Sequence, residues 1–91
     1  MENGTRAVIT VIGKDRTGIL AKVSSQVARF SGNVIEVTQS VLKEFFCMIM
    51  IIDIGECTAS ITDLSEAIKK EVPDMQIHVM HEDIFNSMHR V

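Results

Sequence analysis

The chain has 91 residues and carries 9 Lys and Arg against 12 Asp and Glu, a net charge of −3 with no basic block. This balance excludes the basic footprint of a protein that binds DNA or RNA phosphates. The longest apolar run, at residues 45–52, is too short to span a bilayer. We expect a single domain. Two widely spaced cysteines and no secretory leader pattern predict reduced thiols and a cytoplasmic protein.

The first half of the chain predicts a strand, a helix and a second strand. Residues 5–12 are apolar at nearly every position, as in a strand covered on both faces or placed centrally in a sheet. After the junction GKDRTG, apolar residues recur at three- and four-residue steps up to Phe30 and predict an amphipathic helix. Gly32 is expected to end that helix in the left-handed conformation. Residues 33–42 alternate apolar and polar, as in a strand with one solvated face.

The second half predicts a hairpin, a helix, a last strand and a short C-terminal helix. Lys43-Glu44 is a two-residue connection to a strand at residues 45–54. Thr58 or Ser60 is expected to cap the second helix, and Ser60 stands at capping-box spacing from Asp63. Pro73 ends this helix. Residues 76–80 form the last strand, and residues 82–90 the C-terminal helix.

This order, β-α-β-β-α-β, predicts an α+β ferredoxin-like fold with a four-stranded antiparallel sheet and both helices on one face. The core is expected at residues 5–82 and a helical extension at 83–91. The third strand is apolar on both faces, so one row lacks cover in a monomer. Uncovered apolar rows mark interfaces, which predicts a homodimer. The alternative cover is the C-terminal segment, folded back across the sheet.

The junction GKDRTGI at residues 13–19 is the main candidate site. It precedes the first helix, where free backbone N–H groups and the helix dipole favour a carboxylate or phosphate. Gly18 allows close approach to the backbone, Asp15 can pair with an ammonium group, and Thr17 offers a hydroxyl. Asn33, at the start of the second strand, is a further polar candidate. In the purely structural alternative, Asp15 is the N-cap, the two glycines relieve strain, and Lys14 and Arg16 are solvated bystanders.

Other reactive side chains give weaker signals. The side chains of His78, His81, His89, Glu82 and Asp83 are of metal-ligand types, but their spacing does not match a known metal motif, and a solvated edge is the preferred interpretation. Cys47 is expected to be a small core or interface residue. Without a nucleophile–base pair or a cofactor loop, the sequence predicts no enzyme, no metal site and no cofactor.

The motifs resemble those of the ACT domain, a small-molecule-binding regulatory module. DRTGIL at 15–20 is similar to the family's D-R-P-G-[IV]-[LV] turn, and GNVI at 32–35 to its G-x-N-[IV] entry to strand two. Phe46, Met48 and Met50 match the F-x-M-x-[MV] run of strand three. Thr17 stands where the family often has proline, so the loop loses a fixed φ and gains an N–H and a hydroxyl. The chain resembles the stand-alone, single-domain type of ACT domain, similar to the ACT modules of regulators of the glycine-cleavage-repressor type.

This resemblance implies a non-catalytic module that senses a small molecule, an amino acid by the family pattern, at a homodimer interface and signals to a regulated enzyme or regulator. The implied ligand residues are Asp15, Thr17, Gly18, Ile19 and Asn33. Two alternatives stay open. One is a pure protein–protein interaction module that uses its apolar sheet face without any ligand. The other is an acylphosphatase-like enzyme, whose arginine and asparagine Arg16 and Asn33 imitate only loosely.

Overall fold

The computed structural model describes residues 5–88. Its helices and strands follow the predicted β-α-β-β-α-β order and end in a further helix. In chain order they are β1 (Arg6–Lys14), α1 (Ile19–Arg29), β2 (Asn33–Leu42), β3 (Phe45–Asp53), α2 (Ile61–Glu71), β4 (Gln76–His81) and α3 (Glu82–Met88). The predicted ferredoxin-like fold is confirmed.

The four strands form one antiparallel sheet in the order β2-β3-β1-β4. The register sets the two ends of the sheet. At one end Lys14 of β1 lies opposite Phe45, and Phe45 lies opposite Leu42 of β2. At the other end Arg6 lies opposite Asp53, which in turn lies opposite Asn33. The two edge strands are therefore β2 and β4.

Helices α1 and α2 cover one face of the sheet and enclose the core. Alternate residues of β1 and β3 point to this face, because side chains of a strand alternate between faces. Ile9, Met48 and Met50 of these strands are fully buried in one cluster with Val23 of α1 and Ile68 of α2. Long aliphatic and thioether side chains thus supply the packing in a chain without Trp or Tyr.

Helix α2 begins where the sequence predicts. The Ser60 hydroxyl accepts a hydrogen bond from the Asp63 N–H at 3.2 Å, and the Asp63 carboxylate accepts one from the Ser60 N–H at 3.4 Å. This reciprocal pair is the predicted capping box, and it satisfies two N–H groups that a helix N-terminus otherwise leaves without partners.

The end of α1 differs from the prediction. Ser31, not Gly32, has the positive φ, at 65°. Gly32 is needed for space instead, since a Cβ there would lie 2.9 Å from Val27 Cγ1 and 3.2 Å from the Val27 carbonyl oxygen. The glycine therefore lets the chain pass close to α1 on its way into β2.

The face opposite α1 and α2 is covered only in part. Val8, whose side chain points to this face, is fully buried, because α3 packs against β1 and β4. Towards the β2–β3 turn the face is open, with Ile12 43%, Phe45 55% and Leu42 75% exposed. Helix α3 thus folds back across the sheet, as the sequence allowed, and leaves an exposed apolar end. Residues 89–91 of the predicted extension lie outside the described residues.

Candidate functional site

The junction between β1 and α1 presents free backbone donors. Gly18 is the N-cap of α1, with φ 84° and ψ 9°, and no side chain caps the helix. The first hydrogen bond of the helix runs from the Lys22 N–H to the Gly18 carbonyl, at 3.0 Å. In the first turn of any helix the N–H groups have no acceptor within the helix and carry the positive end of its dipole. This end of α1 is therefore suited to an anionic group.

The two glycines of the junction have different structural roles. A Cβ on Gly13 would lie 2.7 Å from the Met75 sulfur, so Gly13 makes room for the core. Gly18 has a left-handed backbone, which favours glycine, and its added Cβ would meet no atom within 4 Å. The space beside Gly18 is open to a ligand.

Two contacts hold this loop in place. The Asp15 N–H donates to the Glu44 carbonyl oxygen at 2.8 Å, which ties the loop to the β2–β3 turn. Arg16 Nη1 donates to Asp74 Oδ2 at 2.5 Å, which ties it to the turn before β4. Asp15 is not the N-cap of α1, so that part of the purely structural alternative is wrong. Arg16, expected to be a solvated bystander, is the residue that sequence reasoning underrated, because its partner lies 58 positions away.

The side chains of the predicted site differ in exposure. Asp15, Thr17 and Gly18 are exposed, so the carboxylate and the hydroxyl are free to meet a ligand. Ile19 is only 3% exposed, and its side chain belongs to the core. Ile19 can therefore offer a ligand its backbone N–H but not its side chain.

Asn33 lies far from this loop within one chain. It is at the Arg6–Asp53 end of the sheet, beside the C-terminus of α1. The loop is at the opposite end, beyond Lys14, and the 11 residues of α1 alone separate the two by about 16 Å along the helix axis. The structure thus brings Asp15, Thr17, Gly18 and Ile19 together and does not bring Asn33 to them in the same molecule.

The remaining candidates from the sequence are the histidines and acids near β4 and the two cysteines. Within residues 5–88 no three His, Cys, Asp or Glu residues come close enough to hold a metal ion. Cys47, expected in the core or an interface, is exposed on the open sheet face, and both cysteines are free. Burial, with Asp53 nearby, raises the pKa of the Cys57 thiol above its ordinary value, which makes this thiol less reactive at neutral pH.

No helix in the described part of the chain is long and apolar enough to cross a membrane.

Comparisons with known proteins identify the family and the fold. The family model of the ACT domain matches residues 5–82. A UPF0237 protein of Methanopyrus kandleri is 42% identical over 89 residues, which cover 96% of this chain and 99% of the relative. Among solved structures, an ACT domain protein from Streptococcus pneumoniae has 31% identity and a TM-score of 0.74, and the match covers 96% of this chain and all of the other.

A putative glycine cleavage system transcriptional repressor shares the fold, with a TM-score of 0.62 and 21% identity over 88% of this chain and 47% of that one. The resemblance that the DRTGIL and GNVI motifs predicted is thereby confirmed. ACT domains are regulatory modules that often bind small ligands. The chain belongs to the ACT domain family.

Proposed function

We propose that this protein is a non-catalytic regulatory module that senses an amino acid at the interface of a homodimer. The observation that carries the proposal is the separation of the predicted ligand residues. The loop around Gly18 offers backbone donors and an acidic side chain, whereas Asn33 lies at the other end of the same sheet. A site that contains both the loop and Asn33 therefore needs two chains. A ligand bound there stabilises the association of the two chains.

Strand β2 supports a way of pairing the two chains. It is an edge strand of ten residues, so within residues 5–88 its outer backbone groups have no partner strand. A second copy that adds its own β2 in antiparallel orientation satisfies those groups and obeys two-fold symmetry. With the two strands fully overlapped, Glu36 faces the partner subunit's Gln39, so no like charges lie directly opposite each other.

This pairing would complete the site. Antiparallel overlap puts the partner subunit's Asn33 beside Leu42, at the end of the sheet where the loop lies. Leu42 is two strands, or about 10 Å, from the end of β1. Helix α1 packs against β2 and follows directly on β1, so its N-terminus lies at this end of the sheet. The loop would then bind the ligand's carboxylate at the helix N-terminus. The Asp15 carboxylate would pair with the ligand's ammonium group, and the partner's Asn33 amide would bind a further polar group of the ligand.

A thermal unfolding screen with the twenty amino acids tests the proposal. A ligand present at 100 times its Kd adds about 2.7 kcal/mol to the stability of the folded protein. For a domain of this size that raises Tm by about 10–20 °C. The matched variants are Gly18→Val, which fills the open space of the site, and Asn33→Ala. Both are expected to abolish the shift, and a Gln76→Ala variant on the far edge strand to keep it.

The second candidate function is a pure interaction module. The exposed apolar end of the open sheet face, with Leu42 and Phe45, favours it. If no amino acid changes Tm while the protein remains dimeric or captures a partner through Phe45, the interaction function replaces the sensing function. In either case the module acts on a regulated enzyme or regulator, and we place it in the cytoplasm.

A further inference from the structure

A groove of about 520 Å³ lies on the sheet face opposite α1 and α2. Strands β3, β1 and β4 form its floor and α3 forms one wall. It is lined by Thr10, Ile12, Cys47, Ile49, His78, Met80, Phe85 and Met88. Its volume falls in the range of small-molecule sites, about 300–1,000 Å³. The groove shares no residue with the loop around Gly18, so it is not part of the proposed amino-acid site.

The lining combines apolar walls with a few hydrogen-bonding groups. None of the lining residues is Asp, Glu, Lys or Arg. Thr10 and His78 are directly opposite each other across the β1–β4 pairing, and Cys47 lies one row away. Within residues 5–88 the side chains of these three residues make no hydrogen bond to the protein. Cys47 and His78 are exposed and Thr10 is half-buried, and each of the three can accept a hydrogen bond on this otherwise apolar surface.

We propose that this groove binds an uncharged, mainly aromatic small molecule that carries a single N–H or O–H group. The apolar walls, among them Ile49 and Met80, take the ring, and exclusion of water from them drives binding. The Thr10 hydroxyl and a ring nitrogen of His78 are the acceptors for that group. A charged ligand does not fit, because no charged side chain is available to offset the loss of its hydration.

The test is a titration of ¹⁵N-labelled protein with indole, followed by amide chemical shifts. Indole has one N–H group, and 1-methylindole is its matched probe without that group. We expect saturable shifts at Thr10, Cys47, Ile49 and Met80 and none at residues 15–19. A Thr10→Val variant, which keeps the shape and removes the hydroxyl, should weaken indole about 2- to 10-fold and leave 1-methylindole unchanged.

A pair of bulky substitutions supplies the control. Thr10→Phe fills the groove and should abolish the shifts. Thr38→Phe lies on the same face and in the same cross-strand row, but outside the groove, and should leave them intact. If Thr10→Phe does not fold, Cys47→Phe at the exposed end of the groove replaces it. The proposal is overturned if the shifts scatter over the protein or if they persist in the Thr10→Phe variant. It is also overturned if self-association of the protein buries the amides of Thr10, Cys47, Ile49 and Met80.

Discussion

Replacement of Gly18 by alanine isolates the backbone strain at the start of α1. Gly18 has φ 84°, and an alanine Cβ there would meet no atom within 4 Å. The cost is therefore conformational rather than steric. Left-handed backbone costs an L-residue about 1–2 kcal/mol, and the more restricted unfolded chain offsets about 0.4–1 kcal/mol of that. We expect Gly18→Ala to lower the free energy of unfolding by about 1 kcal/mol.

Urea unfolding followed by far-UV circular dichroism measures this change, since the chain has no Trp or Tyr for fluorescence. A loss of about 1 kcal/mol lowers Tm by roughly 4–8 °C in a domain of this size. Gly18→Asn is the matched control, because asparagine tolerates the left-handed region better than alanine does. It should retain more of the stability. An alanine variant as stable as the parent, or an asparagine variant less stable than the alanine one, would refute the reasoning.

The remaining predictions concern the core, a helix cap and a thiol. Met50→Ala, at a fully buried position, should lower the free energy of unfolding in urea by about 2–5 kcal/mol. Val34→Ala, at a position 36% exposed, should lower it far less. Equal losses would contradict the assignment of Met50 to the core. Ser60→Ala should cost about 1 kcal/mol by loss of the capping box, and no loss would mean that the box is not formed in solution. Because the pKa of the Cys57 thiol is raised, iodoacetamide at pH 8 should react slowly with Cys57, measured in a Cys47→Ser variant. It should react faster with the exposed Cys47, measured in a Cys57→Ser variant. The reverse order would contradict the partial burial of Cys57.

Local signals in the sequence predicted the elements well. The bounds of β2 follow from its alternation, and the start of α2 follows from the Ser60–Asp63 spacing, because these patterns involve only neighbouring residues. Gly32 was assigned the wrong role for the opposite reason. Its constraint comes from Val27 after the chain has turned back, and a crowded position looks in sequence like a helix terminator.

The site was predicted less completely than the fold. The DRTGIL motif located the loop, but the Arg16–Asp74 contact depends on how α2 and β4 return to it. The sequence motifs grouped Asn33 with the loop, although the predicted strand order already makes β1 and β2 parallel and so puts the start of β2 at the opposite end of the sheet from the loop. The polar groups around Thr10 escaped notice because only the register of β1 with β3 and β4 brings them to neighbouring positions on one face.

A mixing experiment tests most directly whether the amino-acid site is shared between two chains. Gly18→Val and Asn33→Ala variants are unfolded together, refolded as an equimolar mixture, and titrated calorimetrically with the amino acid that gives the largest Tm shift. A shared site leaves one intact site in each mixed dimer, since an unchanged loop meets the partner subunit's Asn33. Random assortment then predicts binding at about one quarter of the parent capacity, although neither variant binds alone. No recovery of binding in a mixture that contains mixed dimers would contradict the shared site.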